Sequence, residues 1–541
     1  MTRASRALWV LAPLCGGALV GLSLPPLGSW PLAILGVALL SLSLRERSLR
    51  RRAAGGFLAG AGQLAVSLAW ALKFTVLGYV ALVVLEAAMF SLAAALAPSG
   101  RARVPALAAL LTLAEWARQN WPFGGVPPGG IALGQVGGPL AGTARIGGTV
   151  LLVGVTYLGG AGVGELAGSA FRAWHGRGQA GHHRAPAGLP AGLASLAVVV
   201  VLAAWGAVAA DGGPPVRTLR VAVVQGGGRR GLSDLQVPPS VVYAAALKET
   251  STVRPPVDLV LWPEDVVALG RPLQGSPEAA ELAGVARRLH TTLVVGVTAP
   301  VGPTRFRNEI VAYSPSGALT AVFEKVHRVP FGEYVPWRSF FSHLANLQAV
   351  PRDAIAGTGS GLMVTPPALL AVLVSYEVFF PDRGLSGVRA GGQLIVVPTN
   401  TSSYSNGQAP SQEIAASRLQ AIEEGRDLVQ AAPTGYSAVV DNHGDVLQQT
   451  ALSVAAVLRA TVSLRDGATL YTRIGDPPTL VLALLTVVVG WALALADRRR
   501  PRSWRGAKAR AQRLRRPRRG RAHALPRQSG PWLPDLRTGS G

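Results

Sequence analysis

Three short stretches of this chain end in residues able to do chemistry. In "LWPED" an apolar run passes through Trp262-Pro263 into Glu264. In "FEKVHRVPFGEYVPW" stand Lys325 and Glu333, set among Pro and Gly that fix the chain. In "ALLAVLVSYEVFF" (368–380) Ser375, Tyr376 and Glu377 break a run of aliphatic residues and Phe. Val372, Val374, Val378 and Phe379 favour a strand, and a hydroxyl, a phenol and a carboxylate at its end are costly to bury without partners. A carboxylate base, a Lys and a nucleophile on three separate strand ends can converge in a packed sheet. Each also has a plainer reading. Glu264 would cap a following helix, Lys325 would pair with its neighbour Glu324, and Ser375 would bond to a nearby carbonyl. Their order along the chain favours the joint reading.

The elements that would position them are legible around them. "LRVAVVQ" (219–225), "VDLVLWPE" (257–264), "TTLVVGVT" (291–298), "NEIVAYSP" (308–315), "LLAVLVSYE" (369–377), "GQLIVVPTN" (392–400) and "GYSAVVDNHG" (435–444) read as strands. "SPEAAELAGVARRLH" and "PSQEIAASRLQAIEEGRDLV" between them read as amphipathic helices. Strands apolar on both faces imply sheets covered on both sides, hence an α/β sandwich with its polar site at strand ends. "TNTSSYSNG" reads as a turn-rich loop at the pocket rim. No GxGxxG or Walker pattern follows a strand, so nucleotide binding has no support, and no cofactor or metal is expected.

Outside this segment the composition is not that of a soluble protein. Only 15% of the 541 residues are charged. Windows of apolar residues near 8–24, 28–44, 55–73, 77–97, 104–118, 143–168, 193–210 and 478–496 predict about eight membrane spans. The expected division is a seven-span region over 1–210, an α/β domain over 211–476, a last span over 477–497, and a disordered basic tail over 498–541. Arg is concentrated in alternate loops, and residues 211–476 hold 22 basic and 22 acidic residues. The positive-inside rule therefore puts both termini in the cytoplasm and the α/β domain outside the membrane. The net charge of +24 follows from this topology and gives no reason to expect nucleic acid. The tail's expected contact is anionic lipid. A single Cys, Cys15 in the first apolar run, excludes a disulfide framework or a Cys-based zinc site and reads as a packing residue.

With "LWPE", "KVHRVPFGEYVP", "SYE", "EWARQNWPFGG" and "AIEEGRDLVQAAPTGYSAVVDNHGDVL" quoted together, residues 219–466 resemble the carbon–nitrogen hydrolase (nitrilase) superfamily. With the apolar runs on either side, the chain to about residue 496 resembles the apolipoprotein N-acyltransferase family. The resemblance implies a multi-pass helical membrane bundle carrying an αββα sandwich. It implies Glu264 as base, Lys325 as oxyanion partner and Ser375 in the nucleophile's place, with Glu333, Tyr376 and Glu377 supporting. It also implies transfer of an acyl chain from a phospholipid to the N-terminal amine of a diacylglyceryl-cysteine on an apolipoprotein, by a monomer in the cell membrane.

Two positions depart from the family pattern. Ser375 stands where the family has Cys, and "TSSYSNG" replaces an Asp-Ala-Trp-Phe run. A thiol has an unperturbed pKa of about 8.5, and a nearby Lys cation favours its thiolate. A serine hydroxyl is a far weaker acid, so a carboxylate base has more to do. Neutral Lys325 acting as base in a Ser–Lys pair is one alternative. A non-catalytic homologue that binds lipid or lipoprotein, or assists an active partner, is another. A tethered amidase accounts less well for the "EWARQNWPFGG" segment.

Overall fold

Leu- and Ala-rich runs of low charge make the first part of the chain helical, and Val-rich runs bounded by Gly and Pro make the middle a pair of sheets. The computed structural model describes residues 3–45, 47–176, 188–229, 237–343, 347–348, 350–404 and 407–499. The chain opens with helices α1 (Arg3–Ser23), α2 (Trp30–Ser43), α3 (Leu49–Ser67), α4 (Val76–Leu96), α5 (Arg103–Asn120), α6 (Ala144–Gly176) and α7 (Leu189–Val208). Then come β1 (Arg217–Gln225), α8 (Pro239–Thr250), β2 (Leu259–Leu261), β3 (Val267–Ala268), α9 (Pro277–Leu289), β4 (Thr292–Val301), β5 (Arg305–Tyr313) and β6 (Leu319–Glu324). After α10 (Arg338–Phe341), β7 (Asp353–Ala354), β8 (Leu362–Val364) and β9 (Leu369–Val372) come α11 (Pro381–Arg389) and β10 (Leu394–Pro398). The last elements are α12 (Gln408–Glu424), β11 (Leu428–Ala431), β12 (Ala438–Val440), β13 (Val446–Gln449), β14 (Ala456–Leu464), α13 (Leu470–Ile474) and α14 (Pro477–Arg499).

The expected eight-span bundle is corrected. Among the described residues four helices are long and apolar enough to cross a membrane: Val76–Leu96, Ala141–Trp174, Leu189–Val208 and Pro477–Arg499. Trp9–Ser23 and Trp30–Ser43 are apolar but shorter. The windows near 55–73 and 104–118 fall on α3 and α5, which carry three consecutive Arg (Arg50 to Arg52) and the buried pair Glu115 and Arg118. Such helices are apolar by average and polar at the positions that decide a span. Cys15 is exposed on α1 rather than packed inside. The basic tail lies outside the described residues beyond Arg499.

The α/β part consists of two mixed sheets. One runs β14-β1-β2-β4-β5-β6, with β3 on β4 and β7 on β5; the other runs β13-β12-β11-β10-β9-β8. Parallel pairs at β1–β2, β2–β4, β9–β10 and β10–β11 sit beside antiparallel neighbours. Val221, Val223, Leu261, Val294 and Ile310 from the first sheet meet Val372, Val396, Val429 and Val439 from the second, a core closed to water. Helices α8 and α9 cover the outer face of the first sheet through Val242, Leu282 and Leu289.

The outer face of the second sheet is covered differently. Its core runs through α12 (Ile414, Leu419) without a break into the helical region at Leu107, Leu133 and Tyr157. Thirteen of the seventeen residues of α12 are buried, including Glu413, Glu423 and Glu424, so the amphipathic reading of this helix does not describe it. Its C-terminus comes at Gly425 in the left-handed region, and the Leu428 and Val429 that were assigned to the helix open β11 instead.

Candidate active site

Glu264 follows β2 by way of two anchored residues. Trp262 is fully buried, its indole N–H donating to Thr250 Oγ1 at 2.9 Å while its backbone N–H donates to the Val294 carbonyl. The next contact is at Gly296 on β4, whose N–H donates to the Pro263 carbonyl at 3.1 Å. A Cβ at Gly296 would lie 2.5 Å from Glu264 Cα, so only glycine lets the two chains approach this closely.

Lys325 stands one residue beyond β6, its backbone N–H donating to the Asn308 carbonyl at 2.9 Å. Its side chain is 1% exposed, with Nζ 2.9 Å from Glu264 Oε1 and 2.8 Å from Glu333 Oε1. Asn308 Nδ2 donates to the same two oxygens, at 2.7 Å and 3.1 Å. Glu333 is fixed by a turn in which its Oε2 accepts from the Val329 N–H at 2.8 Å. The plainer reading of Lys325 does not hold: Glu324 pairs with Arg307 at 3.0 Å instead.

Two carboxylates thus share one ammonium, with Lys325 and Glu264 buried and Glu333 partly open to water. Burial raises the Glu264 carboxyl above its ordinary range; Lys325 draws it back down and the Glu333 charge pushes it up again. Burial works against the Lys325 charge, but Glu264 and Glu333 outweigh it and hold the ammonium above its usual range. The two carboxylates therefore favour the charged form of Lys325 over a neutral Lys base.

Ser375 begins a short 3-10 helix (Ser375–Phe379) three residues after the end of β9, where the sequence pattern extends the strand to Glu377. Its φ is +51°, a left-handed conformation unusual for a residue with a Cβ, and the residue is nearly buried. The chain thus turns sharply from strand into helix at Ser375. No hydrogen bond joins Ser375 to Glu264 or Lys325 among the described residues.

Glu377 ties the stretches together. Its Oε1 accepts from the N–H groups of Val326 and His327 at 2.8 and 3.0 Å, and its Oε2 accepts from Val374 N–H at 2.8 Å. One fully buried carboxylate therefore clamps the chain just after Lys325 to the turn that carries Ser375. Tyr376 faces the helical region, its hydroxyl donating to the Gly125 carbonyl at 2.9 Å, while Tyr334 donates to the Phe123 carbonyl at 3.0 Å. "WPFGG" thus lies against the site through two phenols.

Sequence reasoning passed over Asn308 and Glu413, and took Thr399 and Tyr404 only as part of a rim loop. Thr399 Oγ1 donates to Glu413 Oε1, and burial pushes the Glu413 carboxyl up to about 8, with Glu264 adding to the rise. Tyr404, in the rim loop, packs its ring at 5.1 Å from Trp70 and 5.4 Å from Phe74 of the helical region. The signal available in sequence was a Glu on a helix face and an Asn at a strand start, both ordinary there.

Residues 220–470 match the carbon-nitrogen hydrolase family, and residues 16–162 match the apolipoprotein N-acyltransferase N-terminal domain. These matches define a carbon–nitrogen hydrolase domain joined to a helical region that holds helices long and apolar enough to cross a membrane. An apolipoprotein N-acyltransferase of Bradyrhizobium diazoefficiens is 32% identical over 463 residues, 80% of this chain and 81% of the relative. One from Brucella melitensis is 30% identical over 460 residues, with the same coverage. One from Geobacter metallireducens is 32% identical over 273 residues, 49% of this chain and 51% of the relative, so the chain spans about half the length of that protein. The chain belongs to the apolipoprotein N-acyltransferase family. Among solved structures, an amidase from Nesterenkonia sp. aligns at 22% identity and TM-score 0.33, over 48% of this chain and 95% of its own. A nitrilase-superfamily protein of Saccharomyces cerevisiae aligns at 17% and 0.35, over 46% and 91%.

Proposed function

We propose that the protein moves an acyl chain from a phospholipid to the N-terminal amine of a diacylglyceryl-cysteine lipoprotein, through an acyl ester on Ser375. The observation that carries the reading is the buried Lys325 ammonium held between Glu264 and Glu333, tied by Glu377 to the Ser375 turn. Family membership supports the substrate class. Glu264 takes the hydroxyl proton as Ser375 Oγ attacks the ester carbonyl. Lys325 and backbone N–H groups hold the oxyanion. The intermediate collapses, the lysophospholipid oxygen leaves with the proton from Glu264, and an ester remains on Ser375. The lipoprotein amine then attacks that ester, giving its proton to Glu264, and Ser375 departs reprotonated.

In this proposal residues 211–476 are the catalytic domain and lie outside the cytoplasmic membrane, the preceding helices bring lipid to the site, and the termini are cytoplasmic. Tyr404 against Trp70 and Phe74 offers an apolar wall toward that lipid.

The test is transfer of a radiolabelled acyl chain from phospholipid vesicles to a synthetic diacylated lipopeptide by the purified protein. Ser375→Ala should abolish transfer. Ser375→Cys keeps the side-chain shape and gives Glu264 an easier proton to take, while the Lys325 cation favours the thiolate. A gain of about one to two orders of magnitude is expected, about 1.4–2.8 kcal/mol off the barrier. Transfer by neither the natural protein nor the Cys variant, with lipopeptide still bound, sinks the enzymatic reading in favour of a binding homologue, which the missing Ser375 hydrogen bond would then explain.

A further inference from the structure

At the end of the helical region away from the sandwich, four helices bring arginines together. Arg45 Nη2, just after α2, lies 3.1 Å from Glu165 Oε1 on α6, and Arg103 Nη2, at the start of α5, lies 2.9 Å from Glu165 Oε2. Arg172, about two turns further along α6, is 4.0 Å from the same carboxylate and bonds Ser169 Oγ at 2.9 Å. Arg103 also donates to the Ser41 carbonyl at 3.1 Å, and Arg52 on α3 reaches the Ala97 carbonyl beyond α4. Glu165 is 6% exposed at its side chain, while Arg103, Arg45 and Arg172 are 13, 21 and 40% exposed. Three guanidinium groups therefore converge on one buried carboxylate, in a graded opening whose outermost member is Arg172.

The depth of this cluster is set by α6, one of the helices long enough to cross a membrane. Near its start, the Thr149 N–H donates to Glu423 of α12, beneath the sandwich. From Thr149 to Arg172 is about 35 Å along a helix rising about 1.5 Å per residue, a little more than the hydrocarbon thickness of about 30 Å. With the sandwich at one water boundary, the cluster lies at the other. Phe171 and Trp174 on the same stretch are 63 and 77% exposed, large aromatics where interfacial belts place them.

We propose that Arg45, Arg103 and Arg172 around Glu165 clasp the phosphate of an anionic phospholipid headgroup. Guanidinium forks match phosphate oxygens two at a time, and a basic pocket between helices at the headgroup level is where such lipids are held. Glu165 has a defined part in this: it keeps the three cations together when the lipid is away and limits the charge it must neutralise. This site is separate from the Ser375 pocket and does not rest on the activity proposed for it.

The experiment uses the full-length protein in nanodiscs of phosphatidylcholine, with or without phosphatidylglycerol, and reads the thermal unfolding midpoint. Phosphatidylglycerol should raise the midpoint, and in competition it should be retained at least about tenfold over phosphatidylcholine, a factor equal to about 1.4 kcal/mol. Arg172→Gln, the most exposed of the three, should lower that preference while leaving the fold intact. Glu165→Gln is the sharper variant. It should lower the midpoint in phosphatidylcholine, where the cations repel one another, and recover it in phosphatidylglycerol. A Glu165→Gln protein equally weakened in both lipids would mean the cluster is only an internal ion pair, and would overturn the proposal. An equal rise with inorganic phosphate in detergent would overturn it as well, since a free anion would then suffice.

Discussion

At the scale of the residue, Glu264 is the group on which the proposed chemistry turns, because its state depends on a cation shared with Glu333. Its carboxyl is raised by burial, and it accepts a proton only when ionised. Transfer activity should therefore climb with pH through an acid limb lying above the ordinary glutamate value of about 4.3. Measuring kcat/KM across that range checks this; a limb at the ordinary value would remove Glu264 as the base, and Glu264→Gln should leave no limb at all. Glu413 makes a separate prediction about stability. Its folded-state carboxyl is pushed up to about 8, so the folded protein holds that proton more tightly than the unfolded chain. The resulting stabilisation is full below the unfolded value and is lost as pH rises through about 8. The unfolding midpoint should fall across that pH in the natural protein, and Glu413→Gln should flatten the fall; an unchanged slope would mean another group titrates. Glu264 and Glu333 stand out in the sequence because each directly follows a Pro or Gly, and Ser375, Tyr376 and Glu377 because they interrupt an apolar run. Glu413 and Asn308 do not, because what makes them unusual is burial, and nothing local in "PSQEIAAS" or "NEIVAY" announces that their surroundings are dry.

At the scale of the element, the site depends on chains held closer than side chains normally permit. Gly296 on β4 lets the Trp262-Pro263-Glu264 segment lie against it, and its Cβ would meet Pro263 and Glu264 backbone. Gly296→Ala should push Glu264 away from Lys325, lowering transfer by about a hundredfold, as displacements near 1 Å do, and costing about 1–3 kcal/mol of stability. Assays of transfer and of urea unfolding on the same variant check both; wild-type transfer would show that Glu264 is not held from this side. Strand positions were readable from Val-rich runs, whereas their ends were not. The run 369–377 continues apolar past Val372, yet the chain leaves the sheet there, because Leu373 bonds to β10 only through its N–H and Glu377 draws Val374 into the turn. For α12, charge every few residues gave the wrong face: its glutamates point at Thr149, Thr399 and Thr472, not at water.

At the scale of the whole molecule, charge placement makes the clearest prediction. Reporter fusions after Gly212 and after Arg498 should report opposite sides of the membrane, with Gly212 outside. The same side for both would overturn the proposed topology. The count of spans was misjudged for a physical reason. A helix rich in Ala, Gly and Leu scores as apolar whether it faces lipid or other helices, and α5 is buried along most of its length around the Arg118–Glu86–Glu115 network.

The unbroken core from Leu107 and Leu133 to Leu419 and on to the second sheet also sets an order of manufacture. Helices α1 to α7 leave the ribosome before any strand, so they can pack together while the sandwich is still unmade. When α12 emerges it finds a docking floor already present: Gln412 bonds to the Ser67 carbonyl and the Gly129 N–H, and Gln408 to the Val66 carbonyl. The earlier helices thus act as a template on which the later half assembles. Only then does α14 arrive, its Thr479 hydroxyl reaching the Gly147 carbonyl in the α6 kink. A ribosome stalled before α12 would leave that floor bare, with Ser67 and Gly129 waiting for partners that the nascent chain has yet to supply.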